Sequence, residues 1–197
     1  ADNIKGATLH SAFKFSFGND HLPLNDKSRD EYRDFLAQLH VLIIDEVSMV
    51  KADMLYQLDA RLKEILCCQD VFGGVSVLLF GDLMQLEPVM ANCVFDIPMN
   101  VTYHPAYNFP ASSLWSLFEH VELRHNHRQG EDKSYAEILN RIRFGKQTED
   151  DLAQLNNRVV SDYPPDAIHI FGTNAEVNEC NLAYLNSIPG ELVVIYA

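Results

Sequence analysis

The chain has 197 residues, 47% hydrophobic and 22% charged, with a formal net charge of −13. That composition excludes wholesale disorder, and no apolar run approaches the roughly 18 residues a membrane span needs. The acid excess is even: residues 1–100 carry 8 basic and 15 acidic side chains, and residues 101–197 carry 7 and 13. There is no basic tail, so a nucleic-acid partner has to be held by a local groove against a repulsive average field.

In chain order, Ala1-Asp2-Asn3-Ile4-Lys5 offers no apolar signal-peptide core. Thr8-Leu9-His10-Ser11 follows, with Phe13 and Phe15. Its hydroxyls and imidazole suit a nucleic-acid backbone and an aromatic can stack a base; the plainer reading is a helix start with Phe13 in the core. The spacing of Tyr32, Phe35, Leu36 and Leu39 predicts a helix.

His40–Asp45 reads as a buried parallel strand that delivers Asp45 and Glu46 at its carboxyl end. A carboxylate there can hold Mg²⁺, and its neighbour can orient an attacking water; alternatively, Asp45 caps the next helix. Leu55, Leu58, Leu62, Ile65 and Leu66 mark a helix over 51–66. Val75–Phe80 is a second buried strand, ending in Gly81, Asp82 and Gln85. The Gln85 amide can bridge a phosphate oxygen and a water, because it both donates and accepts. Two such strands joined by one amphipathic helix place Asp45, Glu46, Asp82 and Gln85 along one edge of a nucleotide-binding sheet.

Pro98, Pro105 and Pro110 make 95–114 a long surface loop. Further strands are predicted at Val121–Leu123, Ile168–Phe171 and Leu192–Ile195. Arg128, just past the first of these, suits phosphate recognition, as an always-charged fork in the arginine-finger role; the plainer reading is a surface arginine in a loop. His125 and His127 lack a third ligand at suitable spacing for a metal. Tyr135, Ile138, Leu139 and Ile142 predict a helix. Thr148-x-x-Asp151 reads as a capping box opening another, and Asn174 as the cap of a last one with Val177, Tyr184 and Leu185 inward. Residues 159–167, with Pro164-Pro165, read as a connection. The alternation predicts an α/β fold with a parallel sheet flanked by helices. Cys67, Cys68, Cys93 and Cys180 form no CxxC pair and no zinc spacing, which points to buried thiols in a reducing, intracellular compartment.

Six motifs occur together: Thr8-Leu9-His10-Ser11; Asp45-Glu46-Val47-Ser48-Met49; Gly81-Asp82-x-x-Gln85-Leu86-x-Pro88-Val89; Asn126-x-Arg128-Gln129; Leu139-Asn140-Arg141-Ile142-Arg143-x-Gly145; and Thr173-Asn174-x-x-Val177-x-x-x-Asn181. In that order the chain resembles the PIF-type (petite integration frequency) DNA helicases of the RecD-like branch of superfamily 1, including relatives in helitron-like mobile elements. The resemblance implies RecA-like P-loop domains: a first over 1–127 and the start of a second over 128–197, with ATP between them. It implies 5′ to 3′ translocation on single-stranded DNA and unwinding of forked DNA, in repair, recombination or telomere maintenance. Asp45 would hold Mg²⁺, Glu46 activate water, Gln85 sense the γ-phosphate with Asp82 beside it, and Arg128 complete the ATP site. Thr8, His10 and Ser11 would touch DNA, as would Asn174 and Asn181. A membrane partner is not implied, the oligomeric state is left open, and the compartment would be the nucleus or the mitochondrion.

The sequence departs from the family at Leu83, where an aromatic is usual, at Glu87, where a proline is, and at Gly172-Thr173, which replaces Pro-Thr. The phosphate loop G-x-x-x-x-G-K-[ST] is missing: Gly145-Lys146 is followed by Gln147 and has no upstream glycine at the right spacing. With Ala rather than Met at position 1, the chain is expected to be a fragment whose phosphate loop precedes Ala1. Two other readings are open: a catalytically inactive binding or scaffold module of the same fold, and a different P-loop enzyme such as an RNA helicase.

Overall fold

The structure is a computed structural model that describes residues 6–15, 23–96, 114–130, 132–161 and 167–190. Its elements are α1 (Leu9–Phe13), α2 (Asp26–Leu36), β1 (Val41–Ile44), α3 (Ala52–Leu66), β2 (Ser76–Leu79), α4 (Lys133–Arg143), α5 (Glu149–Asn156) and α6 (Asn174–Ser187), with short 3-10 turns at Val47–Met49, Val71–Gly74 and Trp115–Leu117. Two compact units divide the chain, Ala1–Gln147 and Thr148–Ala197. α4 falls in the first of these units.

The first unit is built on α3. Leu55, Leu58, Leu62 and Ile65 recur at helical spacing and are all 1% exposed or less. That stripe anchors a core with Phe13, Leu36, Ile44, Val47, Phe72, Val75 and Val94. Burying four such side chains supplies on the order of 1.5–3 kcal/mol each, which makes α3 the element the others pack on. α2 lies against it, with Arg33 Nε donating to the Ile65 carbonyl at 3.0 Å and so satisfying an end carbonyl of α3.

β1 and β2 pair in parallel, in the register Val41↔Ser76 to Ile44↔Leu79, with α3 between them in sequence as a parallel pair requires. The two strand tips therefore lie at the same end. Among the described residues, only one face of this sheet is covered. Ile44 is 5% exposed, whereas Ile43 is 63% and Leu78 47% exposed, and Val41 and Phe80 are exposed with them. The expectation of fully buried strands is corrected to strands with one open apolar face.

The entry to β2 is fixed by a buried carboxylate. Asp59 on α3 is 0% exposed, and its Oδ1 accepts the Phe72 N–H at 2.6 Å. Its Oδ2 is in a 2.8 Å ion pair with Lys63 Nζ, outside hydrogen-bonding alignment. Phe72 and Gly73 take left-handed backbone (φ 52° and 64°), and a Cβ on Gly73 would lie 2.9 Å from the Leu62 carbonyl oxygen.

Two predicted strands are not strands. Val121–Leu123 and Ile168–Phe171 have no ladder partner among the described residues, and Val121, Leu123, Ile168 and Ile170 are exposed. Apolar, β-branched composition makes a segment fit for a strand, but backbone pairing needs a neighbour. Leu192–Ile195, most of the 95–114 loop and residues 162–166 lie outside the described residues.

The second unit contains α5 and α6. The Thr148/Asp151 capping box forms as predicted, with the Thr148 N–H on Asp151 Oδ2 at 2.9 Å and the Asp151 N–H on Thr148 Oγ1 at 3.2 Å. The cap of α6 is Thr173, not Asn174, in a second box with Glu176. Thr173 is preferred because Glu176 stands three residues on to answer it. Among the described residues the inward face expected of α6 is met only in part: Val177 is half-buried, while Tyr184 and Leu185 are exposed.

Replacing Asp59 by Ala removes the acceptor of the buried Phe72 N–H and the carboxylate that pairs with the Lys63 ammonium at 2.8 Å. Asp59→Ala is expected to cost about 3 kcal/mol, and Asp59→Asn clearly less because the amide oxygen still accepts from Phe72. Urea unfolding of the two variants checks this.

Candidate nucleotide-handling edge

The parallel tips converge. After Ile44 come Asp45 and Glu46, both exposed. Asp45 Oδ1 accepts the Glu46 N–H at 2.9 Å, and Glu46 takes left-handed backbone (φ 55°) before the turn at Val47–Met49. That turn has no side-chain cap, so Asp45 is not a helix cap in the ordinary sense.

The two tips are stitched together. The Phe80 N–H donates to the Ile44 carbonyl at 2.7 Å, and the Val47 N–H donates to the Phe80 carbonyl at 2.9 Å. Gly81 follows at φ 148°, where a Cβ would fall 2.7 Å from the Val47 backbone nitrogen. Glycine is required there by close approach of two backbones. Asp82 is thereby set beside the Asp45–Glu46 tip.

Asp82 organises the next turn. Its Oδ1 accepts the Met84 N–H at 3.0 Å, its carbonyl accepts the Gln85 N–H at 3.0 Å, and its Oδ2 lies 3.5 Å from Gln85 Nε2. Its Oδ1 also receives Arg143 Nη2 at 2.6 Å. The loop then returns to the start of α3, where Lys51 bridges Cys93 and the Ala52 N–H donates to the Asn92 carbonyl at 3.2 Å. Burial, followed by the nearby Glu87 and Asp96 carboxylates, pushes the half-buried Cys93 thiol above its ordinary value. Burial likewise raises Asp53 at the start of α3, with Lys51 opposing it.

Four residues predicted from sequence (Asp45, Glu46, Asp82 and Gln85) are thus held at one edge. Arg128 is exposed on an Asx turn, where Asn126 Oδ1 accepts its backbone N–H at 3.0 Å and that of Gln129 at 3.4 Å. Its guanidinium makes no ion pair or hydrogen bond among the described residues. Thr8 is the cap of α1, accepting the Ser11 N–H at 3.3 Å, and remains exposed like Ser11. His10 is half-buried, its ring edge-on to that of Phe15 with the centroids 6.2 Å apart. Phe13 and Phe15 are core residues, as the plainer reading had it. In the second unit, Asn174 and Asn181 are exposed seven residues apart on α6, hence on one face.

Arg143 is the participant that sequence reasoning quoted but gave no role. Nothing in its spacing announces a partner 61 positions away; the motif Arg141-Ile142-Arg143 marks only a basic helix end.

The donor chemistry fits Mg²⁺ at Asp45, a hard carboxylate oxygen at a strand tip. Asp82 fits less well, because an arginine already occupies its charge. Among the described residues there is no cluster of three His, Cys, Asp or Glu that would hold a metal by itself.

A family model described as PIF1-like helicase matches residues 1–152. The chain belongs to this family. It is 30% identical over 204 residues to the ATP-dependent DNA helicase PIF1 of Emericella nidulans, covering 100% of this chain and 26% of that protein. It is 32% identical over 204 residues to the ATP-dependent DNA helicase RRM3 of Saccharomyces cerevisiae, covering 98% of this chain and 26% of that protein. Among solved structures it is similar to the Candida albicans Pif1 helicase, with a TM-score of 0.76 and 27% identity over 98% of this chain and 43% of that one. It is also similar to the Bacteroides Pif1 helicase in complex with ADP-AlF3 and ssDNA, with a TM-score of 0.72 and 29% identity over 96% of this chain and 46% of that one. The chain therefore has the RecA-like α/β fold of the PIF1-like helicases, and spans about a quarter of the length of the curated relatives it matches.

The stitched tips predict a sharp glycine requirement. Gly81→Ala is expected to cost about 2 kcal/mol, whereas Gly172→Ala, with no close neighbour and no positive φ, is expected to be nearly neutral. Denaturant midpoints of the two variants check this.

Proposed function

We propose that this chain is part of an ATP-dependent 5′ to 3′ DNA helicase, contributing the edge at which ATP hydrolysis is coupled to movement on single-stranded DNA. The observation that carries the reading is the convergence of Asp45, Glu46, Asp82 and Gln85 at adjacent parallel tips. The names of the relatives support it, as does the single-stranded DNA present in a structural neighbour.

In this reading Asp45 binds Mg²⁺ and Glu46 orients and deprotonates the attacking water. The metal, when bound, offsets charge on the phosphate oxygens. Gln85 contacts the γ-phosphate through an amide that both donates and accepts. Arg128 offsets the charge that develops on the transferred group, and its exposed turn leaves it available to do so. Hydrolysis of this kind is mostly positioning plus charge stabilisation, which these residue types supply. Thr8, His10, Ser11, Asn174 and Asn181 contact the DNA strand. Residues 1–127 serve the first RecA-like domain of the intact motor and 128–197 begin the second. The working compartment is the nucleus or the mitochondrion, where forked DNA is the substrate.

In the full-length protein, Glu46→Gln is expected to lower kcat for ATP by about 10²–10⁴. Arg128→Ala is expected to lower it by about 10³–10⁵ while sparing ATP binding. Steady-state hydrolysis with parallel nucleotide-binding measurements checks both; equal loss of binding and turnover at Arg128 would make it a structural residue. Duplexes with 5′ tails should be unwound and those with only 3′ tails should not. With no phosphate loop in its sequence, the 197-residue chain alone is expected to turn over no ATP.

A further inference from the structure

Outside the strand tips, one ion pair ties the candidate site to a distant element. Arg143, the last residue of α4, reaches Asp82 at 2.6 Å, and their side chains are 42% and 23% exposed. The same Asp82 carboxylate holds the Met84 N–H and lies against the Gln85 amide. The Arg143 guanidinium also lies 5.5 Å over the Phe144 ring. At the other end of α4, Asp132 caps the helix through the Tyr135 N–H at 3.0 Å, and its own N–H donates to the Gln129 carbonyl at 2.9 Å. Gln129 belongs to the Asx turn that carries Arg128. Eleven helical residues, roughly 16 Å of rigid rod, thus join the Arg128 turn to the Gln85 turn.

We propose that Arg143 is a positioning residue that holds the Asp82 carboxylate, and through it the turn presenting Gln85, so that α4 couples the Arg128 turn to the γ-phosphate sensor. Its kinetic consequence rests on the motor reading above. Asp82 then acts as the receiver of this coupling rather than as a ligand of the metal: its charge is met by a guanidinium in a short charge-assisted bond. Removing the arginine leaves Asp82 repelled by the Asp45 and Glu46 carboxylates at the neighbouring tip, and frees the 83–85 backbone to change its turn.

The test compares Arg143→Ala, Arg143→Lys, Asp82→Asn and the Arg143→Ala/Asp82→Asn double variant in the full-length protein. Two readouts are taken: DNA-stimulated ATP hydrolysis, and hydrogen exchange of the amides at 83–85. Arg143→Ala should lower kcat about tenfold with KM for ATP changed less than about twofold, a loss confined to the reacting complex. Arg143→Lys should recover much of it. The double variant should be no worse than the poorer single one, because both remove the same link. Exchange at 83–85 should quicken in Arg143→Ala and Asp82→Asn alike. Additive losses, an unchanged kcat, or exchange unchanged in Arg143→Ala would each overturn the proposal. A wild-type protein without DNA-stimulated hydrolysis would sink the motor reading instead, and the exchange comparison would then decide on the ion pair alone.

Discussion

Two hydrogen bonds at the strand tips, Phe80 N–H to Ile44 and Val47 N–H to Phe80, set the geometry on which the rest of the site is built. They carry the pairing of β1 and β2 past the ends of the strands and into the segments that bear the acids. Without them Asp45–Glu46 and Asp82–Gln85 would be two loops of independent direction. The parallel register and the α3 crossover bring the tips to the same end, the stitching fixes their separation, and Gly81 allows the approach by having nothing on its α-carbon. The functional group here is a backbone arrangement that side chains decorate.

The carboxylates of this region divide by environment. Asp59 is wholly buried and spends its oxygens on Phe72 and Lys63, so it serves the fold. Asp151 and Glu176 answer helix caps. Asp82 is half-buried and held by Arg143 and the Met84 amide. Asp45 and Glu46 are exposed at a strand end, where burial costs little and a metal or water can reach them. The same carboxylate group, at different depths, gives a core pin, a cap, a latch and an exposed pair at the strand tip.

The sequence revealed whatever depends on local pattern. α3, α4 and the Thr148/Asp151 box follow from periodicity and capping chemistry; the two strands lie within the predicted apolar runs His40–Asp45 and Val75–Phe80, shorter by one residue at each end, and the acid-bearing tips follow from those runs ending in polar residues. What depends on distant partners was not visible. Among the described residues, Ile168–Phe171 has the composition of a strand yet no neighbour to pair with, and Tyr184 and Leu185 of α6 stay exposed. The Arg143–Asp82 pair and the buried Asp59 network join positions whose spacing carries no signal, because ion pairs across a fold obey packing and not periodicity. At the first helix, Thr8 does have the plain capping role, so its hydroxyl already serves α1 before any strand of DNA is considered.

The stitching has a mechanical consequence. Strand ends locked to one another by main-chain bonds cannot slide or splay separately, so this pair of tips behaves as a stator. In the motor proposed above, a nucleotide-driven stroke would enter through the parts hung from it: the turn at 82–85 and the helix whose last guanidinium grips that turn. In that proposed motor, substitutions in the linkage would tune speed and step timing, with the sheet beneath as a fixed bearing.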